Sequence, residues 1–230
     1  MFKKLFTFYN QNIDYFSRNG CSLYTLFHII QIQWGIKVDN SFILLTLQKA
    51  EKDKVFFSAW GAYFSKIYKW FSQAIYLRTK VVVTVKALDI RSKEFEDMYN
   101  EWYAFGLWLK YAWLWYKRAR EDWVIDETEI NEFEKWPVYW HNHVWFKGLI
   151  VDSLWSVSWK PIKLSLENLR KAVDKGLYYP TARTLVMKDK LLEKYLKMYQ
   201  RKEKVKNIEE LPKSHQKAIA RASKLRVFKT

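Results

Sequence analysis

The chain carries one cysteine, Cys21, which excludes an intramolecular disulfide framework and any zinc site built from cysteines. Alone, that cysteine is expected to be a small apolar residue, buried or half-buried, rather than a catalytic thiol. Glycine is almost as scarce, with 6 residues in 230, well below the roughly 7% of ordinary proteins. No glycine-rich phosphate loop, no Gly-x-Ser-x-Gly elbow and no paired cysteine motif occurs. With four histidines that lack obvious partners, an enzyme is the least favoured class. Acid is missing from the end of the chain, where nothing acidic follows Glu210.

Long apolar runs are missing too. The segment Trp102 to Tyr116 is aromatic on nearly every side with one charge, Lys110, but is shorter than the roughly 20 residues of a spanning helix. The start, Met1 to Phe6, is basic and aromatic, and the polar stretch from Asn10 to Asn19 follows. Neither a secretory signal nor a typical transit peptide is expected there.

What is abundant is positive charge and aromatic carbon. Forty Lys and Arg against 24 Asp and Glu give a net charge of +16. That much self-repulsion is best relieved by a polyanion, with phosphates as the first choice. The 13 Trp, 15 Tyr and 15 Phe, with little glycine, resemble the coding bias of AT-rich mitochondrial genomes that read an extra codon as Trp. Half of the residues are hydrophobic, enough for a real core.

The pattern predicts an α+β fold: a mixed sheet of about four strands with a packed helix, then a largely helical C-terminal extension. Residues 1–25 form an arm, and 26–91 an α/β domain. Phe27 to Ile32 reads as a strand, Asp39-Asn40-Ser41 as a turn, Phe42 to Leu47 as a second strand and Val55 to Ala59 as a third. A helix follows from about Phe64 to Thr79, with Ile67, Phe71, Ala74 and Leu77 as its buried stripe. Val81 to Val85 is the fourth strand.

Residues 92–160 are an aromatic-rich insertion. Ser92 to Arg120 reads as one helix with the stripe Phe95, Met98, Trp102, Phe105 and Leu109. Asp126, Glu127, Glu129, Glu132 and Glu134 concentrate acid ahead of His141 and His143. A metal site is conceivable there, but His-x-His without a clear third ligand is a weak pattern, and no metal or cofactor is expected. Trp136-Pro137 breaks the chain, and Val144 to Trp159 suggests a hairpin.

In residues 161–230, Ser165 caps a helix from Leu166 to Lys175 that ends at Gly176. Lys188 to Arg201 and Lys213 to Lys224 give two more helices. The last of these is one-sidedly basic, which fits a nucleic-acid tail.

Several of these residues resemble a known family. His28-Ile29, Asp39 to Thr46, Phe57-Ser58-Ala59-Trp60-Gly61, the basic helix through Gln73-Ala74, and Val81 to Arg91 stand in the order of the small-subunit ribosomal protein eleven family. Trp60 and Ala87 replace glycines of its two glycine-rich turns. In the tail, Pro212 to His215 with Lys224 to Val227 resembles that family's terminus. Leu191-Leu192 with His215 to Lys217 and Ile219 to Lys224 is instead similar to small-subunit ribosomal protein eighteen.

The resemblance implies a structural protein of the small-subunit platform in the mitochondrial matrix, bound to small-subunit rRNA and neighbouring ribosomal proteins. Neither chemistry nor a small-molecule substrate is implied. The residues expected to meet phosphate are Lys66, Lys69, Arg78, Lys86 and Arg91, then Lys213, Lys217, Arg221, Lys224 and Arg226. Membrane contact is not expected, although an accessory subunit of an inner-membrane respiratory complex is the alternative, motivated by Trp102 to Arg120.

Overall fold

A computed structural model describes residues 20–57, 59, 61–110, 119, 121–132, 141–152 and 160–226. Residues 1–19 of the expected arm, the segment from Tyr111 to Arg118, and the Trp136-Pro137 break fall outside these residues; the rest of the arm is corrected, because Cys21 to Thr25 open a buried helix.

The chain is α+β, with two layers of helices around one sheet. In order it forms α1 (Cys21–Trp34), α2 (Asn40–Lys52), β1 (Phe56–Phe57), β2 (Gly61–Ala62), α3 (Phe64–Thr79), β3 (Val83–Asp89), α4 (Lys93–Asn100) and β4 (Phe105–Leu109). Then come β5 (Val124–Ile125), α5 (Glu127–Asn131), β6 (His141–Phe146), β7 (Leu149–Val151), β8 (Ile162–Leu164), α6 (Leu166–Asp174), β9 (Thr181–Met187), α7 (Lys190–Gln200) and α8 (Lys213–Leu225). The large sheet runs β3-β9-β4-β6-β7-β8-β5, so it has seven strands where about four were expected, and β1–β2 is a separate pair. Neighbours are antiparallel except β5 and β8.

The first two expected strands are helices. Phe27 to Ile32 lies inside α1, which is buried from Ser22 to Trp34. Burial on every side takes in Ser22, Thr25, His28, Gln31 and Gln33 as well, so no wet face marks a 3.6-residue stripe, and a short apolar run cannot be told from a buried strand by periodicity. Phe42 to Leu47 lies inside α2, and the supposed turn before it is a cap: Asp39 Oδ1 accepts from the Phe42 N–H at 2.7 Å. The third strand shrinks to Phe56–Phe57. The fourth is β3, which starts two residues later than expected and runs on to Asp89.

The helix α3 spans the expected residues, but its stripe fails at one end, where Leu77 is 64% exposed. The single helix expected from Ser92 to Arg120 breaks instead. Its first part is α4, then Trp102 turns the chain at φ +67, and Phe105 opens β4. Phe95 and Phe105 still pack together, 4.4 Å apart, but as helix against strand. The expected hairpin is β6–β7, closed by Lys147 (φ +49) and Gly148 (φ +73). Two successive positive φ values match the twist of the strands, which is why glycine serves at the second position.

The strand β9 had no sequence signature. Its Thr184 is buried, donating to the Ala104 carbonyl at 2.7 Å. Gln33 of α1 reaches it as well, donating to the Leu185 carbonyl at 2.7 Å. Against one side of the sheet pack α1, α2, α3, α7 and α8; α4, α5 and α6 fill the other. On β4, Gly106 makes room for a side chain: a Cβ there would stand 1.8 Å from the Tyr68 hydroxyl.

Candidate nucleic-acid interface

Acid and base are unevenly spread over the helices. Acids cluster on α4, α5 and α6, and cations answer them. Lys86 meets Glu94 at 2.5 Å, Arg91 meets Asp174 at 2.6 Å, and Arg170 meets Glu96 at 3.1 Å. Lys171 bridges Glu127 and Glu167. On the opposite side, α3 and α8 contain no acidic residue.

Spacing orients α8. Ala218, Ile219 and Ala222 are buried in the core shared with α7, which leaves Lys213, Lys217, Arg221 and Lys224, four, four and three residues apart, along the outer face. Lys213, Lys217 and Lys224 are exposed and make no ion pair among the described residues.

The same helix docks on the end of α3. Arg221 Nη2 donates to the Lys80 carbonyl at 3.2 Å, and Arg221 Nη1 stands 3.8 Å from Asp189. Lys80 closes α3 in a left-handed conformation, φ +56. Cations at this end also complement the helix dipole. Lys188 follows β9 and donates its backbone N–H to the Val82 carbonyl at 3.0 Å, which fixes a further exposed cation beside Lys80.

Apolar surface accompanies this charge. Tyr76 is 46% and Val82 43% exposed beside Lys80. Lys80 Nζ lies 5.6 Å from the Tyr76 ring, and the Arg78 guanidinium lies 4.4 Å from the Phe42 ring. Cations that neutralise phosphate beside a ring that can stack on a base are the elements of single-strand recognition.

The expected contact residues do not all meet here. Arg78, Lys213, Lys217, Arg221, Lys224 and Arg226 belong to α8 or to the end of α3 beside it; Arg226 caps α8 and lies over the Tyr199 ring at 5.3 Å. Lys66 and Lys69 sit near the start of α3, Lys66 over the Tyr63 ring at 4.6 Å. At about 1.5 Å per residue, Lys66 is roughly 20 Å along the helix from Lys80. Lys86 and Arg91 are engaged by Glu94 and Asp174 on the other side. Lys80 and Lys188 were not among the expected contacts. Two cations at the same end of the antiparallel β3–β9 pair, Lys80 before β3 and Lys188 after β9, were the signal, but β9 itself was not legible.

The acidic run plays a local role. Asp126 accepts from the Thr128 N–H at 2.8 Å, and Glu129 accepts from the Asp126 N–H at 2.8 Å, a capping box for α5. Among the described residues, no group of three or more His, Cys, Asp and Glu is placed to hold a metal ion. His141 turns instead to Asp152, with Nε2 2.9 Å from both carboxylate oxygens. Within the described residues no helix is long and apolar enough to cross a membrane. No family model matches this chain, and no curated protein or solved structure matches it either.

Proposed function

We propose that the chain binds RNA through the α3–α8 face, as a structural component of the mitochondrial small ribosomal subunit that also contacts neighbouring ribosomal proteins. The observation that carries RNA binding is the acid-free pair of helices joined by Arg221 and Lys80. Acids such as Asp53, Asp189 and Glu193 lie on the same side of the sheet, but none lies on α3 or α8 themselves, so the positive charge of these two helices is uninterrupted along their length.

The ribosomal setting is supported by the tail, whose family-like residues Leu191, Leu192, His215 and Ile219 to Lys224 fall on α7 and α8. The strand-turn-strand likeness lends it no support, because those residues form α1, a cap and α2. Fractionation of native particles is the test. Co-sedimentation with small subunits, released by RNase, is expected; migration away from intact subunits overturns the ribosomal setting.

A further inference from the structure

We infer that Trp102, with Lys147 and Arg201 beside its ring, stacks on an unpaired base of single-stranded RNA and seats the adjoining phosphate. This rests on the RNA-binding reading and adds a second contact, built from no residue of α3 or α8.

Three turns of the chain meet at this ring. Trp102 lies between α4 and β4, Lys147 at the tip of the β6–β7 hairpin, and Arg201 caps α7. Register joins the first two, because Phe105, which opens β4, pairs with Trp145, two residues before Lys147. Lys197 joins the third. Its Nζ donates to the Glu101 carbonyl at 3.3 Å and lies 3.1 Å from the centre of the Tyr103 ring.

Backbone geometry sets Trp102 apart. Its N–H donates to the Tyr99 carbonyl at 3.2 Å, and the Tyr103 N–H donates to the Met98 carbonyl at 3.1 Å. In this helix-ending pair of bonds the left-handed residue is usually glycine. Here a tryptophan takes the position at φ +67, where a Cβ is crowded by the backbone, and its side chain stays 38% exposed. Glycine would make the same turn with less strain, and the exposed indole gains little burial in return. Strain of this kind gathers at ligand-holding positions.

The ring is held ready by its neighbours. Buried Trp145 stacks on Phe95 at 5.7 Å and on Tyr99 at 4.9 Å, a column that ends at the half-buried Tyr99. Lys147 Nζ lies 4.7 Å from the Tyr99 ring and 5.2 Å from the Trp102 ring, and donates to the Asn100 carbonyl at 3.4 Å. Phe146 meets Trp102 edge-on at 5.9 Å. Arg201 stands farther off, its guanidinium carbon 5.8 Å from the Trp102 ring. A flat guanidinium on a flexible stem can withdraw to admit a base and close over its far face.

Charge favours an anion here. Burial and the charge of Arg201 lower the Lys147 ammonium below its ordinary value, as two cations sharing one space should. Lys202 follows, exposed. Two acids belong to the neighbourhood: Glu101, exposed beside Trp102, and Glu203, whose Oε1 lies 2.9 Å from Arg201 Nε. That ion pair is at the surface, where such pairs are weak, so a phosphate can replace the carboxylate. An aromatic ring flanked by cations holds a single strand whatever its sequence.

Anisotropy titrations of the whole chain with a short labelled oligoadenylate, and with the same RNA backbone lacking bases, test this. Trp102→Gly suits the left-handed turn and is expected to keep its circular dichroism spectrum. Its affinity for oligoadenylate should fall within the roughly 5- to 150-fold of one lost stacking contact. The salt slope and the affinity for the abasic strand should not change, and Trp102→Tyr should recover most of the loss. Lys147→Gln should make the salt slope shallower by about 0.7. Unchanged oligoadenylate binding in Trp102→Gly, or an equal loss on both strands, overturns the inference and leaves the RNA-binding reading standing. Failure of the unaltered protein to bind either strand overturns both.

Discussion

Arg221 of α8 donates a hydrogen bond to the backbone carbonyl of Lys80 at 3.2 Å, joining the last helix to the end of α3 across 141 residues of sequence. The bond places a guanidinium beside the left-handed cap of a basic helix, so two surfaces distant in sequence become one.

Replacing Arg221 with Met separates position from charge. A partly exposed hydrogen bond to a neutral carbonyl contributes about 0.5–1.5 kcal/mol, and the 3.8 Å approach to Asp189 adds little at the surface. Urea unfolding is expected to show a loss of about 1 kcal/mol. RNA affinity should fall further in Arg221→Met than in Lys224→Met, because only the former loosens α8 from α3.

Gly106 and Tyr68 form a second testable pair. Gly106→Ala drives a methyl into the Tyr68 hydroxyl, 1.8 Å away before relaxation. Overpacking of this kind costs about 1–3 kcal/mol. The hydroxyl is buried without a hydrogen-bond partner among the described residues, so Tyr68→Phe should be neutral or stabilising. A double-mutant cycle by denaturant unfolding is expected to show Tyr68→Phe recovering part of the Gly106→Ala loss; strict additivity would contradict the contact.

The Asp39 cap tests the reassignment of the supposed turn. Asp39→Ala removes the acceptor of the Phe42 N–H and should cost about 1 kcal/mol. Asp39→Ser should retain most of the stability. Equal stability of both variants to the unaltered protein in urea would contradict a capped α2.

Stability should depend on pH at both extremes through His141 and Asp152. Burial opposes the Asp152 charge, but His141 and His143 hold its carboxyl far below the usual range. Its contribution is therefore present above about pH 4, the unfolded value, and is lost as pH falls towards the folded one. His141 is raised to about 10, so its contribution is complete below the unfolded value of about 6.5 and disappears as pH rises through 10. Burial lowers the neighbouring His28 to about 4 and lowers His143 too, so acid already costs stability below about pH 6.5, and the urea midpoint should be highest near pH 6.5 and decline on either side. Asp152→Asn should lower the midpoint at neutral pH and flatten the alkaline decline.

Legibility from sequence followed burial. Amphipathic elements such as α3, α6 and α8 were readable because one face is wet, and Ser165 announced its cap by residue type. The helix α1 was not, because burial on all sides erases its period. The strand β9 escaped because Arg183 interrupts an apolar pattern; only the tertiary structure supplies the Phe64 ring, 4.3 Å away, over which the guanidinium lies. Of the basic face, the α8 stripe was legible, while its union with Lys80 and Lys188 depends on β9. His141 and Asp152 form no local motif, and the hairpin pairing of Val144 with Val151 is what brings them together.

The salt dependence of RNA binding tests the basic face most directly. Each phosphate contact to a single strand contributes a slope of about 0.7 in log affinity against log salt. In filter binding to a single-stranded RNA, the triple variant Lys80→Gln, Lys217→Gln, Lys224→Gln is predicted to bind more weakly, with a slope shallower by about 2. Lys86→Gln should change little, since Glu94 already occupies that cation. An unchanged slope in the triple variant, or equal losses at Lys86, would contradict the account.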